Sequence, residues 1–507
     1  MLAPMRNVFR KAGVPLASVD FTDATVLQLA TPPGGVIESG RVVSFYKATI
    51  APGSSCVYVD WGDWGTDDAS GDFARAEVVY PGADGSISLS HIYVNFRVTA
   101  NPVVRISNDL SELRFSGVTI ASVGKYNVTV NEFFGAQLLK GIVNIGSKIR
   151  KVLAPGLFSN TRISEIPAGY SLPSLTSRVS APHIPLACFM KSSITSTDNL
   201  PAGAVAIDAL AFERCYYLSS LAGLSTSPGI KHIGYAAFRS CMSLTSLAGL
   251  SCTLAYDSYV RLFGSWTDMD AVLEELHPGA TQGYRVDQFL FGLGADAFNH
   301  CTTLTDISDL HVSGGLLLRG TFSECYGLSD IPQELLAIGV GFDYSDATSY
   351  SSIVENPGGY RFHLLPRYVK STDVYPDYIG NEGRYAYERW TSGGIFNATG
   401  ITSLPYAGSI TSRPYSSGKL ILYREFSNCE VLNNVTIPSS VKRIARDAFS
   451  GCIRLKSITF EGRTMQSVRG IGEPSTGWTY INEEAKAFPF GLPSGCVITC
   501  TDGTITV

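Results

Sequence analysis

Ala448-Phe449-Ser450-Gly451-Cys452-Ile453-Arg454-Leu455-Lys456-Ser457-Ile458-Thr459-Phe460 is the stretch whose reading decides the fold. An apolar residue followed by others at i+3 and i+6 directs one stripe of a short helical turn inward. The alternation from Leu455 to Phe460 then reads as a half-buried strand. The form Phe-x-x-Cys-x-x-Leu recurs at Phe212/Cys215/Leu218, Phe238/Cys241/Leu244, Phe298/Cys301/Leu304, Phe322/Cys325/Leu328 and Phe426/Cys429/Leu432. Looser copies follow at Phe134/Gln137/Leu139, Phe158/Thr161/Ile163, Phe189/Ser192/Ile194, Phe263/Trp266/Met269 and Phe396/Thr399/Ile401. Adjacent Phe positions lie 23 or 24 residues apart in several places (426 to 449, 298 to 322, 189 to 212). One such unit cannot bury its own inner face, whereas stacked units bury each other's. The Phe, Cys and Leu positions are therefore expected core.

Composition agrees with many short strands and reversals. Of 507 residues, 45% are hydrophobic and only 16% charged, with 50 Gly, 25 Pro, 25 Tyr and 25 Phe. That is apolar enough to bury a core and too long for one compact core. The formal net charge is -5, and the densest basic cluster, Lys148-Ile149-Arg150-Lys151, is too small to track a phosphate backbone. No nucleic acid partner is expected. No apolar run of signal-peptide type follows Met1–Arg10, and no later run approaches a membrane span.

The run Ile437-Pro438-Ser439-Ser440-Val441-Lys442-Arg443-Ile444-Ala445-Arg446-Asp447 leading into Ala448 closely resembles the BspA-type leucine-rich repeat. Leu492-Pro493-Ser494-Gly495-Cys496 through Cys500 to Val507 looks like that family's terminal coil. The resemblance spans about residues 120–507 and implies a binding or surface protein of bacteria or their phages. Upstream, short strands are expected at 42–50, 56–60, 76–80, 87–89 and 96–99, with Asp84-Gly85 as a hairpin turn. Val57-Tyr58-Val59-Asp60-Trp61-Gly62-Asp63, with Ser90-His91-Ile92-Tyr93, resembles a PKD-like β-sandwich, departing from it at Trp64. The expected fold is thus β-rich α+β, a leucine-rich-repeat solenoid of about 23-residue coils behind a small PKD-like β-sandwich. Its expected parts are an N-terminal extension at 1–40 available for docking, the sandwich at 41–120, and the solenoid at 121–507. Insertions near 255–290 and 341–394 and a C-terminal cap complete it.

Catalytic signals are weak. Asp60, Asp63, Asp67, Asp68 and Asp72 lack the order and distal Glu of a calcium loop, which favours turn formation. Seven dispersed His form no His-x-x-x-His, Cys-x-x-Cys is missing, and no Gly-x-Ser-x-Gly exposes a nucleophile. The acidic pairs Glu274-Glu275 and Glu483-Glu484 read as solvated loops. No enzyme activity, cofactor or metal is expected. The eleven cysteines are expected as free thiols, because side chains in stacked coils run parallel and their Cβ atoms do not converge.

Recognition is instead expected of the insertion at 341–394, where Tyr344, Tyr350, Tyr360, Tyr368, Tyr375, Tyr378, Tyr385, Tyr387 and Trp390 lie among Gly, Ser, Asp and Arg. A self-packed structural insertion is the competing reading. Tyr256, Tyr259, Trp266 and Tyr284 mark the other insertion. The leading functional expectation is a phage virion protein on a tail or capsid surface, assembled in the host cytoplasm. It would meet other virion proteins through its N-terminal region and a host-surface glycan or protein through the coils, with homo-oligomerisation open. A bacterial cell-surface adhesin is the alternative, and a glycan-active enzyme the third. Deleting residues 345–390 is expected to leave the coils folded by circular dichroism and melting, because inserted loops are tolerated. Cell attachment should weaken; unchanged attachment by the folded deletion would remove this loop as the contact surface.

Overall fold

The computed structural model describes residues 13–30, 36–37, 41–62, 75–93, 96–97, 103–123, 128–133, 135–174, 182–225, 229–250, 252–255, 293–294, 296–313, 320–330, 398–402, 404, 419–421, 426–439, 441–444, 447–471 and 488–507. Strands dominate, and the described residues include one α-helix, Met465–Ile471. Among the described residues the helical half of the expected α+β class is thus almost missing.

The N-terminal part is built on alternation. Thr25–Leu29 and Val57–Asp60 turn alternate residues inward, burying Leu27, Leu29, Val57 and Val59. A six-stranded sheet runs in the order Gly13–Pro15, Arg75–Val79, Val57–Asp60, Val103–Ile106, Thr25–Leu29, Leu139–Asn144. Around it lie Lys47–Ile50 with Leu110–Arg114 and Ser86–Ile87, and the antiparallel pair Arg41–Ser44 with Ser90–Tyr93. Trp61 is fully buried: it stacks on Phe45 and His91, its indole N–H donates to Glu77 at 2.8 Å, and its carbonyl accepts from the Tyr93 hydroxyl.

Two boundaries differ from expectation. Residues 1–40 are not simply an extension, because Thr25–Leu29 pairs on both sides, with Val103–Ile106 and Leu139–Asn144. The sheet also passes residue 120, taking in Leu139–Asn144, while the hairpin Gly117–Val123/Val128–Phe133 lies beside it. Leu139, expected in a loose coil with Phe134 and Gln137, is paired with Leu29 instead. Asp84-Gly85 does form a turn, but the strands it joins part company: Arg75–Val79 pairs with Val57–Asp60, and Ser86–Ile87 with Lys47–Ile50.

Stacked coils begin where this domain ends. Phe115 stacks on Phe158 with ring centroids 5.7 Å apart, and the Ser116 N–H donates to the Leu157 carbonyl. Gly156, at φ +65°, lets the backbones meet; a Cβ there would lie 2.6 Å from the Val118 nitrogen. From Phe158 the rings continue through Phe189, Phe212, Phe238, Phe298 and Phe322, at 5.2–5.6 Å and 2–13° between planes. Phe426 and Phe449 repeat the contact at 5.9 Å. The third members of the triplets, Leu218, Leu244, Leu304, Leu328, Leu432 and Leu455, are buried with their Phe and Cys, as the spacing led one to expect. Phe158, Phe189, Thr161, Ser192, Thr399, Ile163, Ile194 and Ile401 are buried in the looser copies.

The backbone around each Phe is not the helical turn that i, i+3, i+6 spacing suggests. Residues two before and two after the Phe adopt left-handed φ: Ala187 and Lys191, Leu210 and Arg214, Ala236 and Ser240, Asp296 and His300, Gly320 and Glu324. Alternate N–H groups consequently point out of the coil. Ala187, Phe189 and Lys191 donate to Ala209, Ala211 and Glu213 of the next coil, while Cys188, Met190 and Ser192 donate three residues back within their own. The pattern recurs from Gly156 to Phe449, so the Phe segments are joined coil to coil by backbone hydrogen bonds as well as rings.

The leucines need the same correction. Leu218, Leu244, Leu304, Leu328 and Leu432 do not extend a helical stripe from Phe and Cys. Each closes a separate turn, its N–H donating to the carbonyl of the Cys three residues before it, at 3.0–3.2 Å. The side chain returns to the core because one turn follows another, each reversing the chain over three residues.

Elsewhere on the coils, short parallel pairs join His183–Ile184, Ala206–Ile207 and His232–Ile233, Cys252–Ala255 with Leu310–Ser313, and Lys419–Ile421 with Val441–Ile444. Asn434–Ile437, Ser457–Phe460 and Val497–Cys500 are parallel, and Gly503–Thr506 closes that sheet antiparallel. Phe238 stacks directly on Phe298, and Ile233 bridges Leu293. Phe134, Phe263, Trp266, Met269 and Phe396 lie outside the described residues.

Phe449 is fully buried between Phe426 and the backbone of Phe490. Phe449→Ala should therefore cost about 3–5 kcal/mol in denaturant melts, and Phe449→Leu appreciably less. A loss below about 1 kcal/mol for the alanine variant would mean that the ladder register is misread.

Candidate functional site

The residue that closes each Phe turn sets what the coil can offer outside. The thiols of Cys215, Cys241, Cys301, Cys325 and Cys452 each donate to the carbonyl of the preceding coil's Phe, at 3.0–3.2 Å. The same carbonyl accepts the N–H of its own coil's Cys: Phe212 O receives Cys215 N at 3.1 Å and Cys241 Sγ at 3.2 Å. A carbonyl has two lone pairs, and both are used. Ten of the eleven cysteines, all but Cys252, are seen buried and unbridged. Burial raises the thiols of Cys215 and Cys301 to about 12 and that of Cys429 to about 11, with Cys188, Cys241, Cys325 and Cys452 also well up. They are inert core groups, unlike reactive cysteines, whose thiolates are favoured. Leu218, Leu244, Leu304, Leu328 and Leu432 are likewise closed to solvent and offer no contact to a ligand.

Phe, Cys and Leu face inward, the residue after Phe is buried in most coils, and the residues two after Phe and one after Cys reach solvent. Arg239, after Phe238, donates through Nε (3.0 Å) and Nη2 to the buried Glu213 of the preceding coil, and through Nη1 to the Tyr235 hydroxyl at 3.0 Å. Burial is the larger influence on Tyr235 and holds its phenol protonated. One column over, Lys191 makes a two-pronged contact with Glu132 of Val128–Phe133 at 3.0 and 2.8 Å, and His300 meets Glu324 at 2.6 Å. After the Cys come Tyr216 and Tyr217 (45% and 61% exposed), Met242, Thr302 and Tyr326 (55%).

Every residue of the expected aromatic site, Tyr344 to Trp390, lies outside the described residues, as do Tyr256, Tyr259, Trp266 and Tyr284. Of the acidic group, Asp60 is buried, ion-paired with Arg105 at 2.9 Å and capping the Gly62 N–H; Asp63, Asp67, Asp68 and Asp72 are outside the described residues. Among the described residues, no three His, Cys, Asp or Glu side chains are grouped as metal ligands, and no helix is long and apolar enough to cross a membrane. His183 and His232 share a parallel register, with Ala206 between them. Sequence reading passed over Tyr216, Tyr217 and Tyr326. Their signal was direct: aromatic residues immediately after the buried Cys, where the side-chain stripe must turn outward.

The class defined by stacked coils with a buried Phe-Cys-Leu triplet is that of leucine-rich repeats. Residues 182–259 and 416–473 match the BspA type leucine rich repeat region, in six copies. No curated protein matches the chain. Among solved structures it is similar to a leucine rich cell surface protein from Faecalibacterium prausnitzii A2-165 (16% identity, 67% of this chain, 64% of that one, TM-score 0.26). A leucine-rich repeat protein from Bacteroides ovatus ATCC 8483 overlaps at 14% identity, 78% of this chain and 95% of that one, TM-score 0.21. The chain thus spans under two thirds of the first structure's length. The Phe ladder runs on through Phe298 and Phe322, outside the matched segments.

The raised thiols make stability sensitive to alkali. A group whose folded pKa exceeds its unfolded value contributes stability below the unfolded pKa, about 8.5 for Cys, and loses it as pH rises toward the folded value. Between roughly pH 9 and 11 the Cys301 thiol, raised to about 12, should lower unfolding free energy by about 1.4 kcal/mol per pH unit. Urea melts of the chain should fall steeply in that window and those of Cys301→Ser less steeply; equal slopes would contradict the assignment. Thiol titration of unreduced protein should find nearly all eleven cysteines reactive when denatured and few when native.

Proposed function

We propose that this is a non-enzymatic recognition protein whose coils continue as one solenoid and whose outer edge binds a partner, displayed on a bacterial cell surface in the manner of an adhesin. The observation that carries the reading is the division of labour within each coil. Phe, Cys and Leu are consumed in the ladder, while the residues two after Phe and one after Cys change from coil to coil and reach solvent. A rigid scaffold with a variable, solvent-facing edge suits binding, and nothing in the described part of it assembles a nucleophile with its base.

The match to BspA-type repeats supports surface display. The virion reading draws no comparable support and becomes the second choice; the unbridged thiols are compatible with assembly in a reducing cytoplasm but do not require it. In this proposal the N-terminal domain, which resembles a PKD-like sandwich in sequence, is the base on which the coils stand.

Brief protease treatment of intact cells of the bacterium that produces the chain should release its coil peptides into the supernatant. Recovery of the chain in purified phage particles, with none released from intact cells, would overturn the cell-surface reading.

A further inference from the structure

The rungs of the ladder do not tell one coil from another. Each step from Phe189 to Phe322 repeats the ring contact at 5.2–5.6 Å and the thiol-to-carbonyl hydrogen bond at 3.0–3.2 Å. By these contacts alone a coil could stack on the next but one, leaving the coil between them looped out. Loop length would not forbid it, because closure entropy grows only with the logarithm of length. Residues 239–297 already separate Phe238 from Phe298 in the native stack.

One column breaks the equivalence. The residue after the ladder Phe is neutral at Ser159, Met190, Asn299, Ser323, Ser427 and Ser450, but adjacent coils place Glu213 and Arg239 there. The Glu213 side chain is 6% exposed and that of Arg239 27%. Arg239 holds Glu213 through Nε and Nη2 and the Tyr235 hydroxyl through Nη1, with its guanidinium carbon 5.6 Å from the centre of the Tyr235 ring. The carboxylate of Asp296, buried in the following coil, also acts on it. Arg239 thus draws on one carboxylate of the coil before and one of the coil after.

We propose that the Glu213–Arg239 pair is a register lock, which excludes stacks that skip a coil. A buried ion pair seldom gains stability over apolar residues of similar size, because desolvation offsets the attraction, whereas breaking one leaves a buried charge and is strongly unfavourable. That asymmetry selects among stackings. With the Phe298 coil stacked on the Phe212 coil, Glu213 would face Asn299 and meet Asp296 with no Arg239 between them. With the Phe238 coil stacked on the Phe189 coil, Arg239 would face Met190. Arg214 Nε lies 3.6 Å from the Glu213 carboxylate, but it belongs to the same coil and is about half exposed. It accompanies Glu213 in every stacking and therefore selects none.

The test compares the full chain with Glu213→Met/Arg239→Met, which puts at both positions the residue that the Phe189 coil already holds there. A third protein carries the reversed pair, Glu213→Arg/Arg239→Glu. Each is refolded from urea and pulse-labelled with deuterium, and exchange is read by mass spectrometry on peptides covering residues 205–222 and 230–248. The wild type should give one protected population in both peptides. The methionine variant should melt in urea at or above the wild-type midpoint, yet show a second, fully exchanged population in one of the peptides, as a skipped coil requires. The reversed pair should return to a single protected population. A single protected population in the methionine variant, whatever its midpoint, overturns the proposal. So does a second population that persists in the reversed pair, because packing and not charge pairing would then set the register.

Discussion

The carbonyl of the ladder phenylalanine is the point on which the coil stack depends. Ring and carbonyl belong to one residue, so stacking the ring at about 5 Å also sets the height at which the carbonyl meets the next coil's thiol. That carbonyl is buried, where an unmade hydrogen bond costs about 1–3 kcal/mol. Its own coil supplies one donor and its neighbour the second. The two contributions are unequal in kind. Losing the ring opens a cavity, whereas losing the thiol leaves the carbonyl still holding the N–H of its own coil. This explains why Phe holds from 115 to 449 while Cys yields to Thr161, Ser192 and Thr399. At Thr161 the hydroxyl turns back to Phe158 O of its own coil, at 2.8 Å.

The repeat core was legible in sequence because burial imposes a strict requirement on residue type at fixed spacing. The conformation producing that spacing was not. An i, i+3, i+6 pattern is common to a helical turn and to a segment broken by two left-handed residues, and only the backbone separates them. Leu218 or Leu304 is buried under either reading, so its identity could not choose between them. The non-glycine residues there, Arg214 and Glu324 among them, gave no warning, since such residues seldom adopt positive φ. Thr25–Leu29 was read as part of an extension because a Pro-Pro-Gly-Gly run follows it. Its partners, 103–106 and 139–144, lie far along the chain, and such long-range pairings leave little local trace. The aromatic cluster at 341–394 lies outside the described residues.

Repeat arrays have an end problem: the first and last coils each expose a face that interior coils bury. The chain solves it differently at its two ends. At the start, Phe115 supplies the first ring of the ladder from the end of a β-domain strand region, and the apolar core runs unbroken from Leu27 into the coils. At the finish, Gly503–Thr506 reverses onto Val497–Cys500 and ends the parallel sheet with an antiparallel strand. Arg162 N donates to Leu139 O and Lys191 grips Glu132, so the first coils are held to the domain by backbone and charge as well as by rings.

The same coil geometry that fixes the core also sorts the remaining positions by their freedom to vary. A residue beside the ladder can change without disturbing ring, thiol or leucine, provided that its backbone tolerates the left-handed turn. Stability alone would drive that position toward Gly or Asn, as at Asn160, Asn428 and Gly451. Arg214, Ser240, His300, Glu324 and Ala398 hold the same left-handed φ without that relief, and His300 and Glu324 pair with each other across neighbouring coils. Agreement with the ladder reports only how the coils stay together, and what the coils can bind is set by the positions the ladder leaves at the surface.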